Sequence, residues 1–179
     1  MCIDIPDKQR KILAAWLSER VRSRGDIRWV APETMHVTLK FCGERQSETV
    51  ELLKKNLDDM PRGGAFSVGA EGVGGFPSLQ KARVVWIAIT GDIAKLRSLQ
   101  SKVETAAHRS GIPKETRPYS PHLTLGRRNS FGAVAENVIN EINASPLILE
   151  PWQVDEIILM RSELHRTGPT YTPLGLFKI

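Results

Sequence analysis

The stretch Met35-His36-Val37-Thr38-Leu39-Lys40-Phe41-Cys42 decides how this chain is interpreted. Polar and apolar residues alternate along it, which is the period of a β-strand with one buried face. We therefore expect a strand over residues 35–42, with His36, Thr38 and Lys40 on its polar face. The opposite, apolar face would be formed by Met35, Val37, Leu39 and Phe41.

The centre of this stretch occurs twice in the chain. His36-Val37-Thr38-Leu39 has a counterpart 86 positions later, His122-Leu123-Thr124-Leu125. In a chain with four histidines, chance produces two such matches in roughly a few of ten thousand sequences. Each copy also follows a strand–helix segment. The repeat therefore indicates two similar halves of one fold.

A histidine and a threonine two positions apart on a strand project from the same face, with their Cβ atoms separated by roughly 6–7 Å. Both can therefore reach one phosphate group. Imidazole, with an ordinary pKa near 6.5, gives or takes a proton at neutral pH, and a threonine hydroxyl donates to phosphate oxygens. Two such pairs would supply what in-line phosphoryl transfer needs. A single copy would be better interpreted as an ordinary strand histidine.

Hydrophobic periodicity along the rest of the chain predicts an α+β protein. Apolar residues have helical spacing over residues 8–24, 44–60, 92–110 and 133–142. Short links between the intervening strands favour antiparallel sheets with outer helices over a doubly wound parallel sheet. The predicted strands cover residues 1–5, 27–30, 35–42, 63–75, 83–90, 120–128, 147–149, 154–161 and 171–179.

Length and composition are those of one folded domain. The 179 residues, 41% hydrophobic and 25% charged, suffice for one hydrophobic core and are too few for two independent domains. The net charge of +5 favours an anionic partner such as nucleic acid, and an ordinary basic protein is an equally good interpretation. Two cysteines without a spacing pattern, and no predicted signal peptide or membrane span, lead us to expect a cytoplasmic protein.

The other histidines and the tryptophans have structural interpretations. His108 lies near the end of a predicted helix, where a surface role is favoured, and His165 lies in a predicted turn. The tryptophans, Trp86 among them, fall on apolar faces and are predicted to lie in the core. Histidines and cysteines lack the spacing of zinc ligands. We therefore expect no metal and no cofactor.

The flanks of the two motifs carry a family resemblance that covers nearly the whole chain. They include Arg28-Trp29-Val30-Ala31-Pro32 before the first motif, Tyr119-Ser120-Pro121 before the second and Gly126-Arg127 after it. With Phe76-Pro77 and residues 159–164, these segments resemble the RNA 2′,3′-cyclic phosphodiesterase (2′-5′ RNA ligase) family of the 2H phosphoesterase superfamily. The chain departs from the family at its first strand, which is shorter and lacks a phenylalanine that relatives carry.

The resemblance implies a bilobal α+β fold with outer helices and a central cleft, in which a pseudo-two-fold axis relates duplicated antiparallel sheets. Residues 1–179 would form one 2H phosphoesterase domain of two interleaved lobes, active as a monomer without membrane association. It implies metal-independent hydrolysis of RNA 2′,3′-cyclic phosphate ends to 2′-phosphomonoesters, together with reversible 2′-5′ RNA ligation. By the family's assignment, His36 is the proton donor and His122 the proton acceptor, while Thr38 and Thr124 hold the phosphate.

Three residues that adjoin the motifs are further predicted substrate contacts. Arg127 follows the second motif and would add positive charge to the phosphate site. Phe41 and Tyr119 are placed to stack on a terminal base, and packing is an equally good interpretation of both. Two alternatives for the whole protein stay open: a 2H phosphodiesterase acting on a small cyclic nucleotide such as ADP-ribose cyclic phosphate, and a non-catalytic RNA-binding module.

Overall fold

A computed structural model describes residues 1–20, 27–128, 134, 136–165 and 168–179 of the protein. The described helices are α1 (Asp7–Arg20), α2 (Ser47–Asp58), α3 (Ile93–Arg109) and α4 (Glu136–Ala144). The described strands are β1 (Cys2–Asp4), β2 (Ile27–Trp29), β3 (His36–Thr38), β4 (Phe66–Phe76), β5 (Val84–Gly91), β6 (His122–Arg128), β7 (Ile148–Val154), β8 (Glu156–His165) and β9 (Gly168–Lys178). Their order along the chain confirms the order predicted from hydrophobic periodicity. The predicted helical residues 21–24, 133 and 135 lie outside the described residues.

The strands form one antiparallel sheet in the order β7-β4-β5-β6-β3-β1-β8-β9, and β2 also pairs with β6. The two motif strands, β3 and β6, lie at its centre, with three strands on either flank. This arrangement confirms the α+β class and the antiparallel pairing. It also joins the two halves into a single continuous sheet, because β3 and β6 pair directly through Val37 and Leu123.

Each central strand has one face in the hydrophobic core. Val37 of β3, Ile87 of β5 and Leu123 of β6 are fully buried, in the same hydrophobic cluster as Leu13 of α1 and Leu96 of α3. Burial of a side chain of this size contributes about 1.5–3 kcal/mol. Because successive residues of a strand point to opposite faces, burial of this face fixes the other face of the sheet as the polar one.

The first motif strand ends at Thr38, earlier than the alternation predicts. The backbone amides of Leu39 and Lys40 both donate to the carbonyl oxygen of Met1, at 2.9 and 3.2 Å, so the regular ladder stops there. Leu39 is buried as predicted, but the predictions for the two residues after it are wrong. Lys40 is buried instead of lying on the polar face, and Phe41, expected on the apolar face, is 81% exposed.

Lys40 joins the exit of β3 to the segment that leads into β6. Its Nζ donates to Oε1 of Glu104 on α3 and to the carbonyl oxygen of Pro113, both at 2.7 Å. The same carboxylate oxygen accepts from the backbone amide of Glu115 at 2.9 Å. This buried network ties residues 113–115 to α3 and to the end of the first motif. In the part of the chain that the structure describes, no helix is long and apolar enough to cross a bilayer.

Candidate active site

The two motifs lie side by side on one face of the sheet, which we call the motif face: the face that carries His36, Thr38, His122 and Thr124. The antiparallel pair between them is formed by buried residues of β3 and β6, so the residues before and after that pair point away from the core. Each motif histidine thus opposes the threonine of the other motif. Diagonal neighbours in such a ladder lie roughly 7–8 Å apart, which allows two imidazoles to flank one phosphate.

The same backbone contact orients both histidines. Nδ1 of His36 lies 3.0 Å from the carbonyl oxygen of Thr34, and Nδ1 of His122 lies 2.7 Å from the carbonyl oxygen of Ser120. Because a carbonyl oxygen only accepts, Nδ1 donates and carries the proton in each ring. Nε2 is therefore the nitrogen that gains or loses a proton. The acceptor stands two positions before the histidine in both motifs, so the likeness of the two halves extends to ring orientation.

A short turn before β3 supports the first histidine. The 3₁₀ turn Pro32–Thr34 carries the carbonyl that orients His36. Arg10 of α1 donates to the carbonyl oxygen of Pro32 at 2.7 Å and forms an ion pair with Asp4 of β1. Asp4 in turn lies opposite His36 in the ladder. Helix α1, strand β1 and the turn together therefore fix the position of the His36 imidazole.

The surroundings of His36 lower the pKa of its imidazole below the ordinary value of 6.5. Burial is the main cause, because it penalises the charged ring, and the hydrogen bond to the Thr34 carbonyl partly opposes it. The ring is consequently neutral at neutral pH when nothing is bound. A phosphate anion beside Nε2 would favour the charged ring and raise this pKa.

Each histidine also meets an aromatic ring edge to face. Tyr171 of β9 lies beside His36, with ring centroids 5.1 Å apart at an interplanar angle of 82°. Phe76 of β4 lies beside His122 with the same centroid distance and an angle of 86°. Trp86 of β5 is the next ring, 6.4 Å from His122. None of these three rings was predicted from the sequence to be a neighbour of the site.

The prediction of a core position for Trp86 is wrong. Its neighbours Val85 and Ile87 are buried, whereas Trp86 is half-buried and pairs across the ladder with Thr124. It therefore lies on the motif face. Strict alternation along β5 is the signal that could have found it. Tyr171 had no such signal, because its approach to His36 depends on how the C-terminal strands join the sheet.

Arg127 reaches the motif face through a β-bulge in β6. Thr124 pairs with Trp86, but Gly126 pairs with Val85, the residue just before Trp86, so Leu125 has no partner in the register with β5. Arg127 then pairs with Val84, which shares the face of Trp86, and with Arg28 of β2. A regular strand would have pointed Arg127 to the buried side. The bulge instead places two exposed guanidinium-bearing residues next to the second motif.

Tyr119 and Phe41 occupy different surroundings. The Tyr119 hydroxyl donates to the carbonyl oxygen of Thr38 at 3.2 Å, and burial raises the pKa of the phenol well above its ordinary value. Its ring is half-buried against the hydrophobic cluster. Phe41, just beyond β3, leaves most of its ring exposed. The hydroxyl of Tyr119 is thus bound to the last residue of β3. The ring of Phe41, by contrast, is accessible to a ligand.

The two other histidines lie apart from these contacts, since His108 is exposed in the last turn of α3 and His165 is exposed at the end of β8. Within the described ranges, no group of three or more histidine, cysteine, aspartate or glutamate side chains is arranged to hold a metal ion. The motif face therefore offers two oriented imidazoles, two hydroxyls and a neighbouring positive charge. This set can bind a phosphate and move protons on both sides of it.

Comparison with known proteins agrees with this chemistry. The model of the 2′-5′ RNA ligase superfamily matches residues 10–166. The RNA 2′,3′-cyclic phosphodiesterase of Methanothermobacter thermautotrophicus is 31% identical and aligns with 96% of this chain and all of its own. That of Aquifex aeolicus is 29% identical over 90% of this chain and 88% of its own. The crystal structure of Escherichia coli LigT complexed with 3′-AMP has a TM-score of 0.77 and 25% identity, covering 99% of this chain and 95% of LigT. Since the family model spans both motifs and most of the sequence, the chain belongs to the 2′-5′ RNA ligase superfamily.

Proposed function

We propose that this protein hydrolyses 2′,3′-cyclic phosphates at RNA ends to 2′-phosphomonoesters, without a metal ion. The observation that carries the proposal is the pair of His/Thr sets on one face, with the Nδ1 atom of each histidine bound to a backbone carbonyl oxygen, so that Nε2 is the nitrogen of each ring that can exchange a proton. The names of the relatives, and a nucleotide in the LigT complex, support the substrate class.

The two imidazoles divide the proton transfers between them. Nε2 of His122 takes a proton from water as its oxygen attacks phosphorus. The bond from phosphorus to the 3′-oxygen breaks, and Nε2 of His36 gives its proton to that oxygen. The attacking and leaving oxygens must be roughly in line, which fits histidines that flank the phosphate from neighbouring strands. The product carries a 2′-phosphate and a free 3′-hydroxyl.

The remaining site residues hold the substrate. The hydroxyls of Thr38 and Thr124 donate to the non-bridging oxygens, where charge accumulates in the transition state, and Arg127 adds a positive charge beside them. Phe41 supplies an exposed ring for a base, with Tyr119 next to the same strand end. The anionic phosphate raises the pKa of His36 on binding and so supplies the protonated ring that a donor requires.

The same geometry allows a 5′-hydroxyl to replace water. If the 5′-oxygen of a second RNA attacks phosphorus, His122 takes its proton and His36 protonates the departing 3′-oxygen. The two RNAs are then joined by a 2′-5′ bond, and the reverse steps cleave that bond. Reversible ligation is therefore a second outcome of the proposed site.

Substitution of each histidine by asparagine tests the catalytic assignment. Asparagine keeps an amide that can donate to the same carbonyl oxygen, but it cannot exchange the proton, so His36→Asn and His122→Asn should each lower kcat by roughly 10²–10⁴-fold. His108→Asn is the matched control and should retain wild-type activity. The assay follows an oligonucleotide with a 2′,3′-cyclic phosphate end and identifies the product by its retention time.

The identity of the product, the effect of EDTA and the range of substrates test the remaining parts of the proposal. Full activity in either motif variant, or a 3′-phosphate as product, would contradict it, whereas activity should survive EDTA. A panel that includes ADP-ribose 1″,2″-cyclic phosphate compares the substrate classes. Turnover of that compound alone would assign a small-nucleotide phosphodiesterase. Binding of RNA without product would assign a binding module.

A further inference from the structure

The aromatic cluster next to His122 is larger than the catalytic chemistry requires. We call it the β4–β5 platform: Gly74, Phe76 and Trp86. Trp86 lies over Gly74, whose Cβ, if it had one, would come within 2.4 Å of the indole ring. Phe76 packs on Trp86 with ring centroids 5.2 Å apart, and its ring lies nearly perpendicular to that of His122. Phe76 is 36% exposed, so the platform ends in an open aromatic surface beside the catalytic ring.

The two histidines have aromatic neighbours on opposite flanks of the sheet. The β4–β5 platform lies on the flank of β6, whereas Tyr171 belongs to β9 on the flank of β3. A phosphate held between the histidines therefore has an aromatic surface on each side. A ligand with one nucleoside can use one of them. A ligand pair with two nucleosides, one on each side of phosphorus, can use both.

In-line geometry assigns a nucleoside to each side. The departing 3′-oxygen belongs to the nucleoside that carries the cyclic phosphate, and His36 protonates it in the proposed function. That nucleoside therefore lies on the side of His36 and Tyr171. The attacking group approaches from the opposite side, next to His122. An attacking water molecule cannot stack on the exposed ring of Phe76, whereas the base of an attacking nucleoside can.

We infer that the β4–β5 platform is a subsite for the base of an acceptor, the 5′-hydroxyl end of a second RNA strand, in 2′-5′ ligation. The inference rests on the proposed function and adds the place of the second substrate. The bond between the 5′-oxygen and phosphorus forms as the bond to the 3′-oxygen breaks. The proton of the 5′-hydroxyl passes to Nε2 of His122, and Nε2 of His36 gives its proton to the 3′-oxygen, so atoms and charges balance without another reactant.

The test is the partition of one donor between two nucleophiles. An oligonucleotide with a 2′,3′-cyclic phosphate end is mixed with a large excess of a 5′-hydroxyl oligonucleotide, and the ratio of 2′-5′-joined product to 2′-phosphate product is measured. Phe76→Leu keeps an apolar contact with His122 but removes the stacking face. We expect this ratio to fall roughly tenfold, whatever happens to the total rate. Phe76→Tyr keeps the ring and should keep the ratio near that of the wild type.

Tyr171→Leu is the matched variant on the other flank. It weakens the donor side that both products share, so joined and hydrolysed product should fall together and their ratio should stay unchanged. An unchanged ratio in Phe76→Leu, a fall of the ratio in Tyr171→Leu instead, or no joined product from the wild type would each overturn the acceptor subsite. Hydrolysis by the wild type in those same reactions would leave the proposed function intact, whereas its absence would refute the proposed function separately.

Discussion

Substitution of Lys40 by methionine tests whether the buried ion pair holds the two motif segments together. The residue is 6% exposed, and its Nζ bonds to Glu104 and to the Pro113 carbonyl. Removing one partner of a buried ion pair lowers the free energy of unfolding by about 3–5 kcal/mol, because the other charge stays buried without its counter-charge. In this variant the Glu104 carboxylate still accepts a hydrogen bond from the Glu115 amide, and its side chain is 14% exposed. We therefore expect a loss at the lower end of this range, about 3 kcal/mol. For a chain of this length that corresponds to a fall of roughly 6–12 °C in Tm.

Urea unfolding followed by tryptophan fluorescence measures the loss, and a double variant isolates its cause. In Lys40→Met/Glu104→Gln the stranded charge is gone and the side-chain oxygen still accepts from the Glu115 amide, so the double variant should be more stable than Lys40→Met alone. The surface pair Lys8–Glu150 is the matched control. Both of its side chains are about two-thirds exposed, and Lys8→Met should cost less than about 1 kcal/mol. The reasoning is refuted if Lys40→Met costs no more than Lys8→Met.

Two further predictions concern protonation. As pH falls through 6.5, the ordinary pKa of histidine, His36 takes up a proton in the unfolded chain before it does so in the folded protein, where its pKa is lowered. The free energy of unfolding should therefore decline until the pH reaches the lowered pKa of the folded state. His36→Asn should flatten this decline in urea unfolding between about pH 8 and about pH 5, and equal slopes in the two proteins would contradict it. Burial raises the pKa of the Cys2 thiol to about 11 and leaves it 2% exposed. At about pH 8, mass spectrometry should therefore show that iodoacetamide modifies the half-buried Cys42 first, and fast modification of Cys2 in the folded protein would be the opposite result.

The order of elements and the face of each motif residue could be predicted from the sequence, because both depend on local periodicity. Val37 and Leu123 alternate with His36 and His122, and burial of the apolar pair alone decides which side the imidazoles take. The repeat then indicated that two such faces belong together. The pairing of β3 with β6 in one sheet required the structure, since no local pattern specifies which strands become neighbours.

Long-range backbone contacts account for what the sequence did not reveal. The first motif strand ends early because the Met1 carbonyl takes the amides of Leu39 and Lys40. The position of Arg127 depends on a bulge that alternation does not predict. Tyr171 reaches His36 only because β8 and β9 return to the sheet beside β1. Each of these contacts joins residues far apart in the chain, where propensity and periodicity carry no information.

The pairing of β1 with β8 has a consequence for synthesis. Cys2 lies beside Ile158 in the ladder, so the half of the sheet that holds His36 combines β1 with β8 and β9, which are made long after it. Contacts between such distant segments form slowly, because a long loop must close first. On a ribosome, the strands β4, β5 and β6 around His122 can pair while the half of the sheet that holds His36 still lacks β8, β9 and Tyr171. A nascent chain would therefore order the surroundings of His122 before those of His36, which are complete only after β9 has been made.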